Sequence, residues 1–340
     1  MIDRPLLIQE IGSLKKPDWL VATLKNKNAT AEQKEKARDD AAYLNIRMFE
    51  DVGLDIVYDG EARRVEMYEY PAKNIHGMVF SGRVRSWDNR YYRKARVIDK
   101  VQYVRSYHMD ELRFVKDHAK KIVKIPITGP YTMADWSYNE YYGTKEDLVM
   151  DFAKLVIRPL VKDLIAAGAQ IVQIDEPAAT THPSEMKVFV DAFNEVVEGI
   201  NAIFTCHICY SGNNDASLFP AATEMKCDQF ALEFANRDTW ELGVSDEKRI
   251  GYSALNGFRE YGSKAGVGLG VSDVHVDRVE DPKLVRDRIL YAARVLGDPK
   301  LVYTNPDCGL RTRSREIAFA KLRAIAEGTV MARKQLGIPA

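Results

Sequence analysis

The sequence predicts an α/β fold, a single (β/α)8 TIM barrel with an insertion after the second strand. Eight short β-branched runs alternate with longer amphipathic stretches, the pattern of parallel strands joined by right-handed helical crossovers. Each run is followed by polar residues or glycine, as expected where barrel strands end on the face that carries the active site. A doubly wound open sheet has the same local pattern, but its dinucleotide-binding version loses support because no GxGxxG follows the first run.

The candidate strands and helix starts follow from local signals. We expect strands at residues 7–10, 56–58, 123–127, 171–174, 203–206, 229–232, 267–271 and 301–304. Capping residues predict four helices, which begin after Thr30, Thr144, Asp281 and Ser314. The region of about 78–107 is aromatic and basic without helical periodicity, and it is the predicted insertion, a β-hairpin or a lid. No linker or low-complexity tract divides the chain, so residues 1–340 are predicted to form one domain.

Polar or glycine-bearing segments follow all eight predicted strands. In chain order they are Ile11-Gly12-Ser13, Asp59-Gly60-Glu61, Thr128-Gly129-Pro130, Asp175-Glu176-Pro177, His207-Ile208-Cys209, Glu233, Ser272-Asp273-Val274-His275 and Asn305-Pro306-Asp307-Cys308-Gly309. In a barrel these ends converge on one face, whereas in an open sheet they are strung out along a line. The placement therefore favours the barrel.

Composition and charge exclude several classes of protein. The chain has 340 residues, with 49 Lys and Arg against 49 Asp and Glu, so its formal charge is zero. Neutrality argues against a nucleic-acid footprint or a polybasic membrane surface. No apolar run approaches the ~20 residues of a membrane span, and the first ten residues lack the pattern of a signal peptide. A cytoplasmic location without membrane or nucleic-acid partners is expected.

The four cysteines indicate a metal site rather than disulfides. His207 and Cys209 stand two apart at a strand end, so in extended geometry their side chains project on the same side. With Cys308 and Glu233 from other strand ends, the set offers one imidazole, two thiolates and one carboxylate, which suits four-coordinate zinc. The alternative is that His-x-Cys occurs by chance and that the cysteines pack as small hydrophobic residues, as we expect for Cys206 and Cys227.

Together these segments resemble a known family. The residues that carry the resemblance are Ile11-Gly12-Ser13, Asp59-Gly60-Glu61-Ala62-Arg63, Thr128-Gly129-Pro130 with Trp136-Ser137, Gln173-Ile174-Asp175-Glu176-Pro177, His207-Ile208-Cys209, Gly268-Leu269-Gly270-Val271 with Asp273 and His275, and Asn305-Pro306-Asp307-Cys308-Gly309-Leu310. They are similar to the catalytic zinc barrel of cobalamin-independent methionine synthase, in the family's order from about residue 8 onward. Only the metal-bearing barrel is present, so the chain resembles the short, single-domain "core" form.

The resemblance implies a function and a role for each matching residue. It implies a methyltransferase of methionine biosynthesis in which zinc, held by His207, Cys209, Glu233 and Cys308, activates the thiol of homocysteine. It further implies that the backbone of Ile11 and Ser13 binds the substrate carboxylate, and that Glu61 and Asp175 bind its ammonium group. By the same resemblance, His275 delivers a proton and Trp136 binds the methyl donor.

Some alternatives remain open at the sequence level. The donor is either a methylated corrinoid (methylcobalamin or a corrinoid protein) or methyltetrahydrofolate, whose N5 must be protonated to leave. The insertion contains Arg83, Arg85, Trp87, Arg90, Tyr91, Tyr92, Arg93, Lys94 and Arg96, which suit a hairpin with a charged face or a docking surface for a corrinoid protein. Competing functions are alkyl transfer to another thiol such as coenzyme M, and a non-catalytic zinc-binding or carrier-docking protein.

Overall fold

The computed structural model describes residues 4–85, 91–209 and 217–339, and within them it places ten strands. They are β1 (Ile56–Val57), β2 (Ile75–Arg85), β3 (Tyr91–Tyr103), β4 (Ile122–Thr128), β5 (Tyr138–Asn139), β6 (Ile171–Asp175), β7 (Ile203–Ile208), β8 (Gln229–Leu232), β9 (Gly266–Gly270) and β10 (Val302–Asn305). Seven of them form one sheet in the order β1-β4-β6-β7-β8-β9-β10. The pairs β1–β4, β6–β7, β8–β9 and β9–β10 are parallel.

This sheet confirms the α/β class and the positions of seven predicted strands. The first predicted strand, residues 7–10, forms two isolated parallel bridges instead, from Ile8 to Thr304 and from Gln9 to Ile56. Every strand of the sheet, including the two-residue β1, is buried along most of its length. That burial explains why the strands read as continuous apolar runs rather than as an alternating pattern. Closure into a complete eight-stranded barrel stays a prediction.

Four of the eleven helices in the described residues begin where the capping residues predict. The eleven are α1 (Asp18–Lys25), α2 (Ala31–Asp51), α3 (Glu69–Ala72), α4 (Met109–His118), α5 (Pro130–Asp135), α6 (Lys145–Asp151), α7 (Arg158–Ala166), α8 (Met186–Val197), α9 (Leu255–Glu260), α10 (Pro282–Leu296) and α11 (Arg315–Gln335). Side chains of Thr30, Thr144, Asp281 and Ser314 accept backbone N–H bonds at the starts of α2, α6, α10 and α11. None of the helices in the described residues is long and apolar enough to cross a membrane.

The amphipathic stretch after Thr144 is less regular than its spacing predicts. Between α6 and α7 the backbone forms a π-helix over Phe152–Ile157, and Gly168 follows α7 with a φ of +90°. Most side chains of this π-helical segment are buried. A π-turn shifts the register of the apolar face by one residue, so the helix keeps its buried stripe although the spacing is not strictly 3.6.

The chain divides into two compact units, each described by itself. Unit 1 comprises residues 1–63, 114–124 and 228–340, and unit 2 comprises residues 64–113 and 125–227. Unit 1 contains β1, β8, β9 and β10 with α1, α2, α9, α10 and α11; unit 2 contains β2, β3, β5, β6 and β7 with α3, α5, α6, α7 and α8. The single-domain organisation expected for residues 1–340 stays a prediction.

A second, three-stranded sheet lies within unit 2. Strands β2 and β3 are antiparallel, from Ile75 opposite Tyr103 to Arg85 opposite Tyr91, and β3 is parallel to β5. An antiparallel pair is what a hairpin in the region of 78–107 requires. Trp87 and Arg90 lie outside the described residues, and the status of this segment as an insertion into a barrel stays a prediction.

Candidate metal centre and substrate-binding loops

The carboxyl ends of β6 and β7 bring two predicted site residues into register. Asp175 pairs with His207 across the parallel strands, and both side chains are buried. Glu176 donates its backbone N–H to the carbonyl of His207 at 2.8 Å. Gln173 donates its side-chain amide to Asp175 Oδ1 at 2.7 Å, which fixes the orientation of that carboxylate.

The structure brings together three of the four predicted metal ligands. One ligand atom each from His207, Cys209 and Cys308 lies within 4.8 Å of the others. His207 is buried, whereas Cys209 and Cys308 are partly exposed. An imidazole with two thiols is a borderline-soft donor set that suits zinc and excludes magnesium and calcium. Glu233 is not a member of this cluster, and its role as the fourth ligand stays a prediction.

Glu233 directly follows β8 and is buried. Asn236 donates its side-chain amide to Glu233 Oε2 at 3.4 Å, and the guanidinium of Arg237 donates to the Glu233 backbone carbonyl. Glu233 Oε1 lies 4.0 Å from Nε2 of His275. The loop after β8 thus holds a carboxylate beside the predicted proton donor.

Asp307 anchors that same loop, a role that the sequence does not reveal. Its carboxylate accepts the backbone N–H groups of Phe234 and Ala235 at 2.9 Å on Oδ1, and of Asn236 at 2.7 Å on Oδ2. Burial raises the pKa of Asp307 to about 7, although the three N–H donors oppose this shift. Glu233 directly precedes the residues that Asp307 binds, and Cys308 directly follows Asp307. Asp307 therefore positions two predicted ligands.

Glu176 has a similar role in unit 2. Its Oε1 accepts the N–H of Tyr131 at 3.0 Å and its Oε2 accepts that of Thr132 at 2.7 Å, in the first turn of α5. Burial raises the pKa of Glu176 to about 7, and these hydrogen bonds oppose the shift. A Cβ on Gly129 would lie 2.2 Å from Oε1, so a larger residue before the helix would displace the Glu176 side chain. Glu176 therefore fixes the loops after β4 and β6 together.

The predicted carboxylate-binding segment, residues 11–13, packs backbone against backbone on the loop after β10. Ile11 is buried and Ser13 is partly exposed. A Cβ on Gly12 would lie 2.9 Å from the Cα of Gly309, and a Cβ on Gly309 would lie 2.6 Å from the backbone N of Ser13. Two glycines therefore allow this segment to approach the turn that carries Cys308.

Glu61 has an unusual backbone conformation for a non-glycine residue. Its φ is +57°, after a φ of +63° at Gly60, and its side chain is buried. Its N–H donates to Asp59 Oδ1 at 2.8 Å, and Lys16 Nζ donates to its carbonyl at 3.1 Å. Residues held in the left-handed region by surrounding bonds cluster at functional sites, which agrees with the predicted binding role.

His275 lies in the segment after β9, and Trp136 lies at the end of α5. The N–H of His275 donates to Asp273 Oδ1 at 2.8 Å, and the side chain of His275 is 32% exposed. Trp136 ends α5, and its ring lies 6.2 Å from that of Tyr68 and 5.9 Å from that of Tyr92 on β3. The roles predicted for both residues stay predictions.

The two remaining cysteines are arranged as packing residues. Cys206 is fully buried, and burial raises the pKa of its thiol well above the ordinary value. Cys227 lies with its Sγ 3.6 Å from the carbonyl oxygen of Phe204. Neither residue belongs to the His207 cluster.

The fold and the cluster define a class, an α/β enzyme with an imidazole and two thiols at its parallel strand ends. The model of a family described as "cobalamin-independent synthase, catalytic domain" matches residues 15–330. The chain therefore belongs to the cobalamin-independent methionine synthase family, and the resemblance read from the sequence is confirmed. It is an enzyme of the methyltransferase class.

Named relatives and a solved structure agree with this assignment. A methionine synthase from Thermoplasma acidophilum is 45% identical over 97% of this chain and 98% of its own length. One from Pyrococcus furiosus is 42% identical over 96% of this chain and 92% of its own length. The structure of a B12-independent methionine synthase from a Shewanella species, in complex with selenomethionine, matches 98% of this chain and 99% of that chain, with a TM-score of 0.83 and 25% identity.

Proposed function

We propose that this chain is a zinc-dependent S-methyltransferase that methylates homocysteine to methionine. The observation that supports it best is the cluster of His207, Cys209 and Cys308, within 4.8 Å of one another, in a member of this family. Dispersal of the three residues over two strand ends favours catalysis, because structural zinc sites group their cysteines in short knuckles. The proposed donor is a methylated corrinoid or methyltetrahydrofolate.

The donor set fits zinc. His207, Cys209 and Cys308 would hold the ion, with Glu233 proposed as the fourth, exchangeable ligand. When bound, zinc would lower the pKa of a substrate thiol and keep it as the nucleophilic thiolate. The buried anchor Asp307 supports Glu233 by fixing the loop that follows it.

Homocysteine binding is proposed for four residues. Ile11 and Ser13 would bind the carboxylate through their backbone, and Glu61 and Asp175 would bind the ammonium group. Both carboxylates are buried, and a buried carboxylate is stabilised by a cationic partner. Held in this way, the substrate needs only the in-line approach of the donor methyl group, so part of the entropic barrier is removed before the reaction.

Donor binding and proton delivery are proposed for Trp136 and His275. The ring of Trp136, supported by Tyr68 and Tyr92, suits stacking on a flat heterocycle. His275 would protonate the departing amine of methyltetrahydrofolate, a poor leaving group when neutral. A corrinoid donor needs no such proton.

The finer features of the fold belong to the same proposal. We infer a closed (β/α)8 barrel in a single domain of residues 1–340, with an insertion at about 78–107. The bridges from Ile8 to Thr304 and from Gln9 to Ile56 support closure, because they link the two end strands of the sheet through one segment. A corrinoid protein remains a candidate partner for the insertion.

The decisive experiment measures methionine from homocysteine with the zinc-loaded chain, with methylcobalamin in one reaction and methyltetrahydrofolate in another. We expect Cys209→Ala to abolish methionine formation and the matched cysteine control Cys227→Ala to retain it. Absence of methionine with both donors, or equal activity in the two variants, would contradict the proposal.

Two further arms separate the donors and the thiols. His275→Ala should slow the folate reaction by about 100-fold, in the range of general acid catalysis, and the corrinoid reaction much less. Coenzyme M in place of homocysteine should not be methylated, because Glu61 and Asp175 oppose a sulfonate. Methylation of coenzyme M at a comparable rate would favour the alternative alkyltransferase function.

A further inference from the structure

The carboxyl group of Glu10 is fully buried beside the segment of residues 11–13, and the mechanism above gives it no role. Its Oε2 contacts the hydroxyl of Tyr58, and its Oε1 accepts the N–H of Leu310 at 3.3 Å. The same Tyr58 hydroxyl also contacts the backbone carbonyl of Gly12. One phenol therefore lies between a carboxyl oxygen and a carbonyl oxygen.

The number of protons shared by the Glu10 carboxyl and the Tyr58 hydroxyl decides which of the two contacts of Tyr58 are hydrogen bonds. A carbonyl and an ionised carboxylate are acceptors only, and a phenol has a single proton to donate. If Glu10 were ionised, one of the two contacts of Tyr58 would be a close approach of two oxygens without a proton. If Glu10 is neutral, it donates to Tyr58 and Tyr58 donates to Gly12, so both contacts are hydrogen bonds.

The charged groups around Glu10 agree with a neutral acid. Lys124 Nζ donates to the backbone carbonyl of Glu10 and to Gln9 Oε1. Glu61 is an acidic neighbour of both Glu10 and Tyr58, and Asp59 is an acidic neighbour of Tyr58. Burial, with a smaller contribution from Glu61, raises the pKa of Glu10 to about 8, against the opposing effects of Tyr58, Lys124 and the Leu310 N–H.

We propose that Glu10 is a positioning residue, held as a neutral acid, which donates a hydrogen bond to the Tyr58 hydroxyl. Tyr58 in turn donates to the Gly12 carbonyl, and this chain of two hydrogen bonds fixes the carboxylate-binding backbone of residues 11–13. The planar peptide unit that contains the Gly12 carbonyl also contains the Ser13 N–H, pointing the opposite way. Anchoring the carbonyl therefore orients the N–H for an anion. This inference rests on the proposed function, because it takes residues 11–13 as the carboxylate site.

Ionisation of Glu10 has two consequences for the substrate. The Tyr58 proton turns to the carboxylate, so the Gly12 carbonyl loses its donor and the peptide unit loses its anchor. A negative charge also appears beside the site for the substrate carboxylate, and like charges repel strongly in a buried environment. Homocysteine affinity therefore depends on the protonated form and falls as the pH rises above the pKa of Glu10.

The test is isothermal titration of the zinc-loaded chain with L-homocysteine from pH 6.5 to 9.5, in wild type, Glu10→Gln and Tyr58→Phe. Glutamine keeps the donor to Tyr58 and the acceptor for Leu310 but cannot ionise. The Kd ratio of wild type to Glu10→Gln should be near one at pH 6.5 and rise to about ten at pH 9. Titration of homocysteine itself cancels in this ratio. Tyr58→Phe should weaken binding at every pH.

Two controls keep the outcome interpretable. 3-Aminopropane-1-thiol, which lacks the carboxylate, should bind wild type and Glu10→Gln equally at every pH. The infrared difference spectrum of wild type minus Glu10→Gln at pH 6.5 should show one neutral carboxyl band, because the bands of carboxyl groups common to both proteins cancel. This measurement does not require the variant to bind homocysteine. A pH-independent Kd ratio, or no such band, overturns the inference. Failure of wild type to bind homocysteine at pH 6.5 instead overturns the proposed function.

Discussion

Two loops of this molecule are fixed by the same device, a buried carboxylate that accepts successive backbone N–H groups. Glu176 in unit 2 accepts two, from Tyr131 and Thr132, and Asp307 in unit 1 accepts three, from residues 234–236. Each carboxylate is faced by a glycine. A Cβ on Gly129 would lie 2.2 Å from Glu176, and one on Gly270 would lie 2.1 Å from Asp307.

The two loops differ in what they position. The loop held by Asp307 follows Glu233, and Cys308 is the residue after Asp307. The Asp307 carboxylate therefore positions the predicted metal ligands. Glu176 follows Asp175 and binds the start of α5, the helix that ends at Trp136. The Glu176 carboxylate therefore positions the predicted substrate and donor sites. The same arrangement of a buried carboxylate and backbone N–H groups would thus position the predicted metal ligands in one loop and the predicted substrate and donor sites in the other.

Removing each carboxylate should give the largest effect. Asp307→Ala leaves three buried N–H groups without their acceptor, which should lower the free energy of unfolding by about 3 to 5 kcal/mol, and Glu176→Ala leaves two, for about 2 to 4 kcal/mol. Urea unfolding at pH 7 measures both. We expect zinc to be lost from Asp307→Ala and retained by the folded fraction of Glu176→Ala, as measured by metal analysis after dialysis. Equal zinc loss in both variants would contradict the assignment of the two loops.

The glycines facing the carboxylates test the same packing from the other side. Gly270→Ala should destabilise by about 1 to 3 kcal/mol, because the new methyl group meets Asp307 Oδ1 and also the Leu232 carbonyl at 2.7 Å. Gly129→Ala should destabilise less, because its methyl group meets only the side chain of Glu176. Gly82→Ala is the matched control, since nothing lies within 4 Å of its added methyl group. The reverse order of the two core variants would show that Asp307 adapts more easily than Glu176.

Amide variants sharpen the comparison without creating a cavity. In Asp307→Asn the amide NH2 group must face one of three N–H donors, so the loop shifts, and zinc affinity should fall by about 10- to 100-fold, as for other residues that orient metal ligands. In Glu176→Gln zinc affinity should not change, while KM for homocysteine or the donor rises. Competition with a zinc chelator and steady-state kinetics give the two readouts. Loss of zinc affinity in Glu176→Gln would show that the loop held by Glu176 also supports the metal site, and would contradict the distinction between the two loops.

The sequence predicts much of this fold because the signals are local. The capping residue Thr30 with Gln33, the apolar strands and the glycines at strand ends all act on residues a few positions away. The cluster of His207, Cys209 and Cys308 was predictable because few chemistries other than metal binding need these residue types at strand ends.

The anchoring roles of Asp307 and Glu176 could not be predicted in the same way. A carboxylate after a strand can bind a metal, an ammonium group or a loop, and the N–H groups that decide between these belong to residues about 45 to 73 positions away in the chain. The glycines that face the carboxylates, Gly129 and Gly270, are also distant from them in the chain, so they provide no local signal either. The π-helix after α6 escaped prediction because one extra residue barely alters an apolar stripe.

Glu10 provides a third buried carboxyl, and its predicted effect is the smallest when it is expressed per pH unit. It accepts one backbone N–H, from Leu310, where Glu176 accepts two and Asp307 three. Since burial raises its folded pKa to about 8 from an ordinary value near 4.5, the folded chain holds a proton between these pH values that the unfolded chain has lost. The contribution of Glu10 to the free energy of unfolding is therefore fully present below pH 4.5 and decreases as the pH rises toward 8.

Glu10→Gln lacks this titration. The free energy of unfolding of Glu10→Gln minus that of wild type should therefore increase by about 1 kcal/mol for each pH unit between 5 and 8. Above pH 8 this difference should stay constant. Urea unfolding of both proteins at pH 5, 6, 7 and 9 measures the difference, and every other titrating group cancels in it. Parallel stabilities across this range would mean that Glu10 ionises in the folded chain near its ordinary pKa. The Tyr58 hydroxyl would then have its proton on Glu10, and residues 11–13 would be held by the close packing of Gly12 on Gly309 alone.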